Sequence, residues 1–283
     1  MDSDKNEFIP KEKLISHEEI KAMHPIFGGR FGDLLLKALF SITGMNKVNG
    51  VYDGSKHKTG VGFVTDLLDR QGIIRKVENY EILDQFPDQP FITVSNHPYG
   101  HIDGIIAISV VASKRKDYKM MVNWMLNKID TMAENFIGVN PYDKKSKMSS
   151  AKSSLGGVKL CIEHLKEGHP MGFFPAGGVS SPHWFGETID REWQEPVLKL
   201  IKRAKVPVIP MYISGNNSWF YRFLGLIDWR LRMVRLMHEV TNKRGRTVYI
   251  RFGQPISAEE QAKYKDIKEF GEFLKAKTYE LKK

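Results

Sequence analysis

Acidic side chains are scarce in this chain: 33 Asp and Glu face 43 Lys and Arg, leaving a net charge of +10. The surplus calls for an acidic partner, and nucleic acid, an anionic bilayer and an acidic carrier protein all qualify. Nucleic acid is set aside. The basic residues form small scattered groups (114–116, 144–147, 230–235, 243–244), without zinc-finger spacing, an RNA-binding aromatic signature or basic-zipper heptads. Cysteine is nearly absent: Cys161 stands alone, which excludes an intramolecular disulfide framework and suits a reducing cytoplasm. No stretch reaches the roughly 18–20 uninterrupted apolar residues of a membrane span. Residues 1–13 are charged and carry no apolar centre, so they do not read as a secretory signal. There is no Gly-x-Ser-x-Gly elbow for a serine nucleophile. No His, Cys, Asp and Glu fall at metal-ligand spacing, so no metal is expected. Internal repeats and low-complexity tracts are also missing.

What is present is an alternation of strands and helices. Apolar, β-branched runs at 73–77, 91–94, 118–122, 136–139, 171–174, 208–213 and 247–252 predict strands. Helices are predicted at 105–112, 123–133, 149–166 and 192–205, with a closing helix from the Ser257 capping box to Lys283. The expected fold class is α/β: a mixed, mainly parallel sheet covered by helices on both faces. Residues 1–70 read as an N-terminal helical extension able to associate with a membrane, and 71–283 as the catalytic domain. Within the extension, Ser16 to Glu19 form a capping box, 31–42 is a short apolar helix, 48–60 is a polar connection, and 62–70 is amphipathic. Core packing is the expected fate of 31–42, with a lid or a lipid-interface wedge as alternatives. Residues 219–237 mix tryptophans, other aromatics and methionines with Arg222, Arg230, Arg232 and Arg235. Bilayer contact and plain packing are evenly matched there, since the arginines do not share one helical face.

Two loops carry the chemistry. Asn96 and His97 leave the end of an apolar strand, followed by Pro98-Tyr99-Gly100 and then Asp103 near a helix start. A rigid strand end presenting a polar loop is a common way to hold a reactive group. Taken alone, Asp103 would be a helix cap and His97 a satisfied core histidine. The second loop, Phe174-Pro175-Ala176-Gly177-Gly178, follows another strand and brings glycines that let a ligand approach the backbone.

Together the loops resemble the glycerolipid acyltransferase family typified by 1-acyl-glycerol-3-phosphate acyltransferases. Its Asn-His with a following Asp matches Asn96, His97 and Asp103. Its Phe-Pro-x-Gly loop matches 174–177, and its proline-punctuated strand matches 206–210. The likeness spans roughly 73–256. Five residues separate His97 from Asp103 where the family has four, a form that resembles a bacterial branch acting on lyso-ornithine or lyso-glycine lipids. Ala176 replaces the glutamate of Phe-Pro-Glu-Gly, and no arginine follows Gly138-Val139, where Asn140-Pro141 stand instead.

The resemblance implies membrane lipid biosynthesis: an O-acyltransferase that moves a fatty acyl group from acyl carrier protein or acyl-CoA to a lyso-lipid hydroxyl. His97 would be the general base and Asp103 its orienting carboxylate, while Asn96, Phe174, Pro175, Ala176, Gly177 and Gly178 would line the substrate. With both phosphate-facing residues replaced, an amino-acid lyso-lipid is favoured over lysophosphatidic acid. No cofactor is implied beyond the acyl thioester. The implied location is peripheral, on the cytoplasmic face of the cell membrane, against an anionic surface. His101 competes with His97 as base, but only Ile102 separates it from Asp103. Clusters 114–119 and 144–147 could receive the anionic donor, and 105–112 with 31–42 could line its acyl chain. Rival readings are a lipid esterase using water as acceptor and a non-enzymatic, basic membrane-binding protein.

Overall fold

The computed structural model describes residues 8–23, 25–140, 154–182 and 188–283. Four helices come first: α1 (His17–Met23), α2 (Gly29–Thr43), α3 (Met45–Ser55) and α4 (Gly60–Arg70). Ser16 and Glu19 form the expected reciprocal cap on α1, each backbone N–H donating to the other's side chain at 3.1 Å. Next come β1 (Ile74–Glu78), β2 (Ile92–Ser95), α5 (His101–Lys114), β3 (Lys119–Asn123), β4 (Phe136–Val139), α6 (Ser154–Lys166) and β5 (Met171–Phe173). The chain closes with α7 (Glu195–Ala204), β6 (Val208–Ile213), α8 (Trp219–Ile227), α9 (Trp229–Thr241), β7 (Thr247–Phe252), α10 (Ala258–Ala262) and α11 (Ile267–Tyr279).

The strands form one seven-stranded sheet in the order β1-β7-β6-β2-β5-β3-β4. Among the described strands, only the β6–β7 pairing is antiparallel. The fold is therefore α/β, with a mixed, mainly parallel sheet. One apolar cluster joins α3, α4 and α5 to one face, and a second joins α6, α7 and α11 to the other. Strand β2 lies at the centre, and every residue from Ile92 to Ser95 is buried. That is why it reads as a continuous apolar run rather than an alternating one.

Several sequence expectations give way. Residues 48–60 are not a polar connection, because α3 runs to Ser55. Val48, Tyr52 and Ser55 are buried on it; their i, i+4, i+7 spacing packs one face of the helix and outweighs the low helix propensity of Gly50 and Gly54. Residues 123–133 form no regular helix but two short 3₁₀ turns, Trp124–Lys128 and Asp130–Asn135, broken at Ile129. The closing helix is split, since Asp266 starts a new one by accepting from Lys268 N and Glu269 N at 2.8 and 3.0 Å. Residues 219–237 lie in two helices, because Asp228 caps α9 by accepting from Arg230 N at 2.6 Å. Arg222 lies on α8 and Arg230, Arg232 and Arg235 on α9, where their spacing scatters them around the helix. The start expected for α6 at 149–153 falls outside the described residues, as do Lys144 to Lys147.

The acyl-chain groove expected along 105–112 is filled: Ile106, Ala107, Ile108 and Val111 are fully buried in the core. At the end of α9, Glu239 and Lys243 form a buried ion pair at 2.5 Å. Glu239 also accepts from Ser218 N and Oγ at 2.9 and 2.6 Å, which ties the start of α8 to the end of α9.

Candidate active site

Register decides where the two loops meet. Val94 of β2 sits beside Phe173 of β5, in parallel, so both strands end at the same edge of the sheet. His97 follows one strand end and Phe174 the other, and their rings stack with centroids 4.1 Å apart. On the opposite side β2 pairs with β6, and Asn96 fastens that seam. Its Nδ2 donates to Ile213 O at 2.9 Å, and its Oδ1 accepts from Ile213 N at 2.8 Å. Both ends of the Asn96 amide are thus engaged by backbone, which makes it a girder beneath His97.

Asp103 is fully buried, and its Oδ2 lies 2.9 Å from His97 Nδ1. The same oxygen accepts from Tyr99 N and Gly100 N, each at 2.9 Å. One carboxylate therefore both caps α5 and faces the imidazole, so the structural and functional readings of Asp103 coincide. Gly100 makes the turn possible. Its φ of +91° is closed to most L side chains, and a Cβ there would lie 3.0 Å from Val179 and 3.2 Å from Leu236. Burial raises the Asp103 pKa, against the opposing pull of His97 and the two backbone donors. The imidazole thus turns Nδ1 towards the buried carboxyl, which leaves Nε2 as the ring nitrogen not facing Asp103.

His101 lies at the first turn of α5 and is not the partner of Asp103. Desolvation, aided by His97, pushes its pKa down to about 4. It is therefore neutral at pH 7. Between pH 6.5 and about 4 the unfolded chain binds a proton that the folded chain refuses, so stability falls as pH drops through this window. His101→Gln should flatten the dependence of the urea midpoint on pH between 7 and 5. An unchanged slope would mean that other groups set it.

The second loop turns tightly. Gly177 N donates to Phe174 O at 2.9 Å, and Gly177 adopts a φ of +62°. Its N–H is therefore committed, whereas no described residue accepts from the N–H of Gly178. Pro175 and Ala176 are buried. Arg191, which the motif reading missed, binds the loop from outside. Its Nε donates to Ala176 O at 2.7 Å and an Nη to Gly177 O at 3.0 Å.

Asp190 is the other missed residue, and it clamps the loops together. Its Oδ1 accepts from His97 N at 3.2 Å and from Ser180 Oγ at 2.5 Å, and its Oδ2 accepts from Trp193 Nε1 at 3.1 Å. Ser180 N donates in turn to His97 O at 2.9 Å. Asp190→Ala would strand these donors and should cost about 2–4 kcal/mol in denaturant titrations. No change in the midpoint would show the clamp to be idle.

Cys161 is fully buried in α6, and desolvation pushes its thiol up to about 12, which rules out a thiolate nucleophile there. The described residues do bring His164, Glu167 and His169 together, with one ligand-type atom of each within 4.8 Å. The linear sequence did not suggest this grouping. It lies at the opposite end of the sheet from His97, and Asp117 bonds both histidines, through its carbonyl at 2.9 Å and its carboxylate at 2.8 Å.

Comparison with known proteins follows the same outline. A lyso-glycine lipid O-acyltransferase from Bacteroides thetaiotaomicron is 28% identical over 255 residues, covering 86% of this chain and 88% of that protein. A protein of the same name from Phocaeicola vulgatus is 26% identical over 252 residues, covering 85% of each. The crystal structure of the 1-acyl-sn-glycerophosphate (LPA) acyltransferase PlsC from Thermotoga maritima superposes with a TM-score of 0.46 at 18% identity, covering 94% of this chain and 93% of that one. The model of a family described as acyltransferase matches residues 43–283. With that match spanning all seven strands and both loops, the chain belongs to this acyltransferase family.

Proposed function

We propose that the chain transfers a fatty acyl group from a thioester to the hydroxyl of a lyso-lipid, with His97 as general base. The observation that carries this reading is the buried Asp103 carboxylate 2.9 Å from His97 Nδ1, set against the glycine loop through the His97–Phe174 stack. The acceptor hydroxyl gives its proton to His97 Nε2 as its oxygen bonds to the thioester carbon. Asp103 stabilises the imidazolium that results. In this reading the uncommitted N–H of Gly178 is the donor to the oxyanion. As the tetrahedral centre collapses, the carbon–sulfur bond breaks and the proton passes from His97 to the departing thiolate. The donor is acyl carrier protein or acyl-CoA; both are anionic and suited to a chain of net charge +10. The reaction belongs to membrane lipid synthesis, and we place it at the cytoplasmic face of the membrane.

An amino-acid lyso-lipid is the favoured acceptor. Ala176 offers no carboxylate in the second loop, and its carbonyl is occupied by Arg191. Two relatives bear the name lyso-glycine lipid O-acyltransferase. The test offers purified protein a long-chain acyl thioester with lyso-glycine lipid, lyso-ornithine lipid and lysophosphatidic acid in competition. Mass spectrometry should find the diacylated amino-acid lipid as the main product. Phosphatidic acid as the main product would overturn the acceptor while leaving the transfer chemistry in place.

A further inference from the structure

The turn that ends α6 places two histidines side by side. His169 N donates to His164 O at 3.1 Å and Gly168 N to Leu165 O at 3.2 Å, while Gly168 takes a φ of +94°. These are the paired bonds of a Schellman motif, which brings the third-last helical residue against the residue after the left-handed glycine. An apolar contact frequently occupies that place. Here two imidazoles occupy it, with ring centroids 4.7 Å apart, and Glu167 lies in the same turn.

Asp117, in the neighbouring turn between α5 and β3, holds both rings. His164 Nε2 lies 2.9 Å from Asp117 O, and His169 Nδ1 lies 2.8 Å from its carboxylate. A carbonyl oxygen only accepts, so a neutral His164 keeps its proton on Nε2 and its lone pair on Nδ1. No described residue bonds His164 Nδ1 or His169 Nε2. An imidazole fixed through one nitrogen by a carbonyl or carboxylate is the arrangement of a metal-ligating histidine. Ligand-type atoms of His164, Glu167 and His169 lie within 4.8 Å of one another. Donors around a tetrahedral zinc ion stand roughly 3.4 Å apart. Rotamer changes of the exposed Glu167 and the partly exposed His169 close that difference.

An anion is the poorer occupant. Glu167 and Asp117 bring carboxylates to the turn, and Arg115 is committed to Asp117 and to the carbonyls of Phe86, Gln89 and Gly168. The end of a helix favours positive charge. Two nitrogens and one carboxylate suit zinc or a similar late first-row ion, whereas magnesium and calcium take oxygen ligands.

We propose that His164, Glu167 and His169 form a binding site for a divalent transition-metal ion of the zinc type, with Asp117 orienting both imidazoles and water completing the shell. The site lies at the opposite end of the sheet from His97, so the ion takes no part in acyl transfer. It ties the end of α6 to the approach to β5 and, through Asp117, to the turn before β3. Its effect is on stability.

The test uses the full chain stripped of metal by a chelator, with zinc ion alone as the probe. Titration against a coloured zinc chelator should give one site per chain, and elemental analysis after desalting should recover one zinc per chain. Added zinc should raise the urea midpoint. His164 is only 8% exposed, so its replacement threatens folding. The exposed pair Glu167→Gln/His169→Gln therefore carries the test, with circular dichroism confirming the fold. Zinc affinity should fall by about 100-fold or more, beyond the 10–100-fold typical of losing an outer partner, and the rise in midpoint should vanish. Asp117→Asn leaves all three ligands in place and should weaken zinc by about 10–100-fold. Zinc that fails to bind, or that binds the double variant as tightly as wild type, would overturn the site. Unchanged affinity in Asp117→Asn would overturn the orienting role of Asp117. Inhibition of acyl transfer by one equivalent of zinc, persisting in the double variant, would place the ion at His97 and overturn the site as well.

Discussion

His97→Ala should lower kcat by about 10²–10⁴-fold, the usual share of a positioned general base, with KM little changed. The expectation follows from what the imidazole touches. Its Nδ1 faces buried Asp103, its ring lies on Phe174, and its backbone is held by Asp190 and Ser180. Removing the side chain therefore takes away the proton acceptor while the frame around it stays. His97→Gln supplies the control for shape, because it can donate a hydrogen bond but cannot take the proton near neutral pH. It should be as slow as alanine. The check is a steady-state rate series with acyl thioester and lyso-lipid, and wild-type turnover in either variant would remove His97 as the base.

The second large effect is expected at Asp103. In Asp103→Asn the amide oxygen can take the place of Oδ2 and keep accepting from Tyr99 N and Gly100 N. The helix cap survives, but the negative charge facing the imidazolium is gone. We expect kcat to fall by about 10²–10⁴-fold with the unfolding midpoint close to wild type. Asp103→Ala should lose both activity and stability, since it strands two backbone donors and the imidazole N–H in a buried place, at about 1–3 kcal/mol each. The contrast separates the two duties of one carboxylate. Equal loss of stability in Asn and Ala would mean that the charge, rather than the hydrogen bonds, holds the turn.

Much of this was legible in the chain because it is local. Ile92 to Val94 and Val208 to Ile213 are buried on both faces, so their apolar runs are continuous and read as central strands. The Asn96 to Asp103 loop keeps its chemistry within eight consecutive residues, and a glycine and a proline mark its turn. Helix α3 was illegible because its glycines argue against a helix and only tertiary burial of Val48 and Tyr52 overrules them. Asp190 was illegible for another reason: it bonds His97 from 93 residues away, in an irregular segment with no periodicity to place it. Asn96 was visible as a motif residue, but its use on Ile213 depends on the β2–β6 pairing. The spare face of α2 could not be told from core in the sequence. Its apolar arc is wider than one packing face needs, and only the fold shows which half is covered.

The central claim is direct transfer, with His97 activating the acceptor and no acyl group resting on the protein. Intact-protein mass spectrometry with a parallel lipid assay tests it most directly, after mixing the chain with acyl thioester alone and then with lyso-glycine lipid. The account predicts unmodified protein in both mixtures, no free fatty acid without acceptor, and diacylated lipid only when acceptor and His97 are both present. A stoichiometric acyl adduct, or fatty acid released without acceptor, would contradict it and point to a covalent enzyme or a hydrolase.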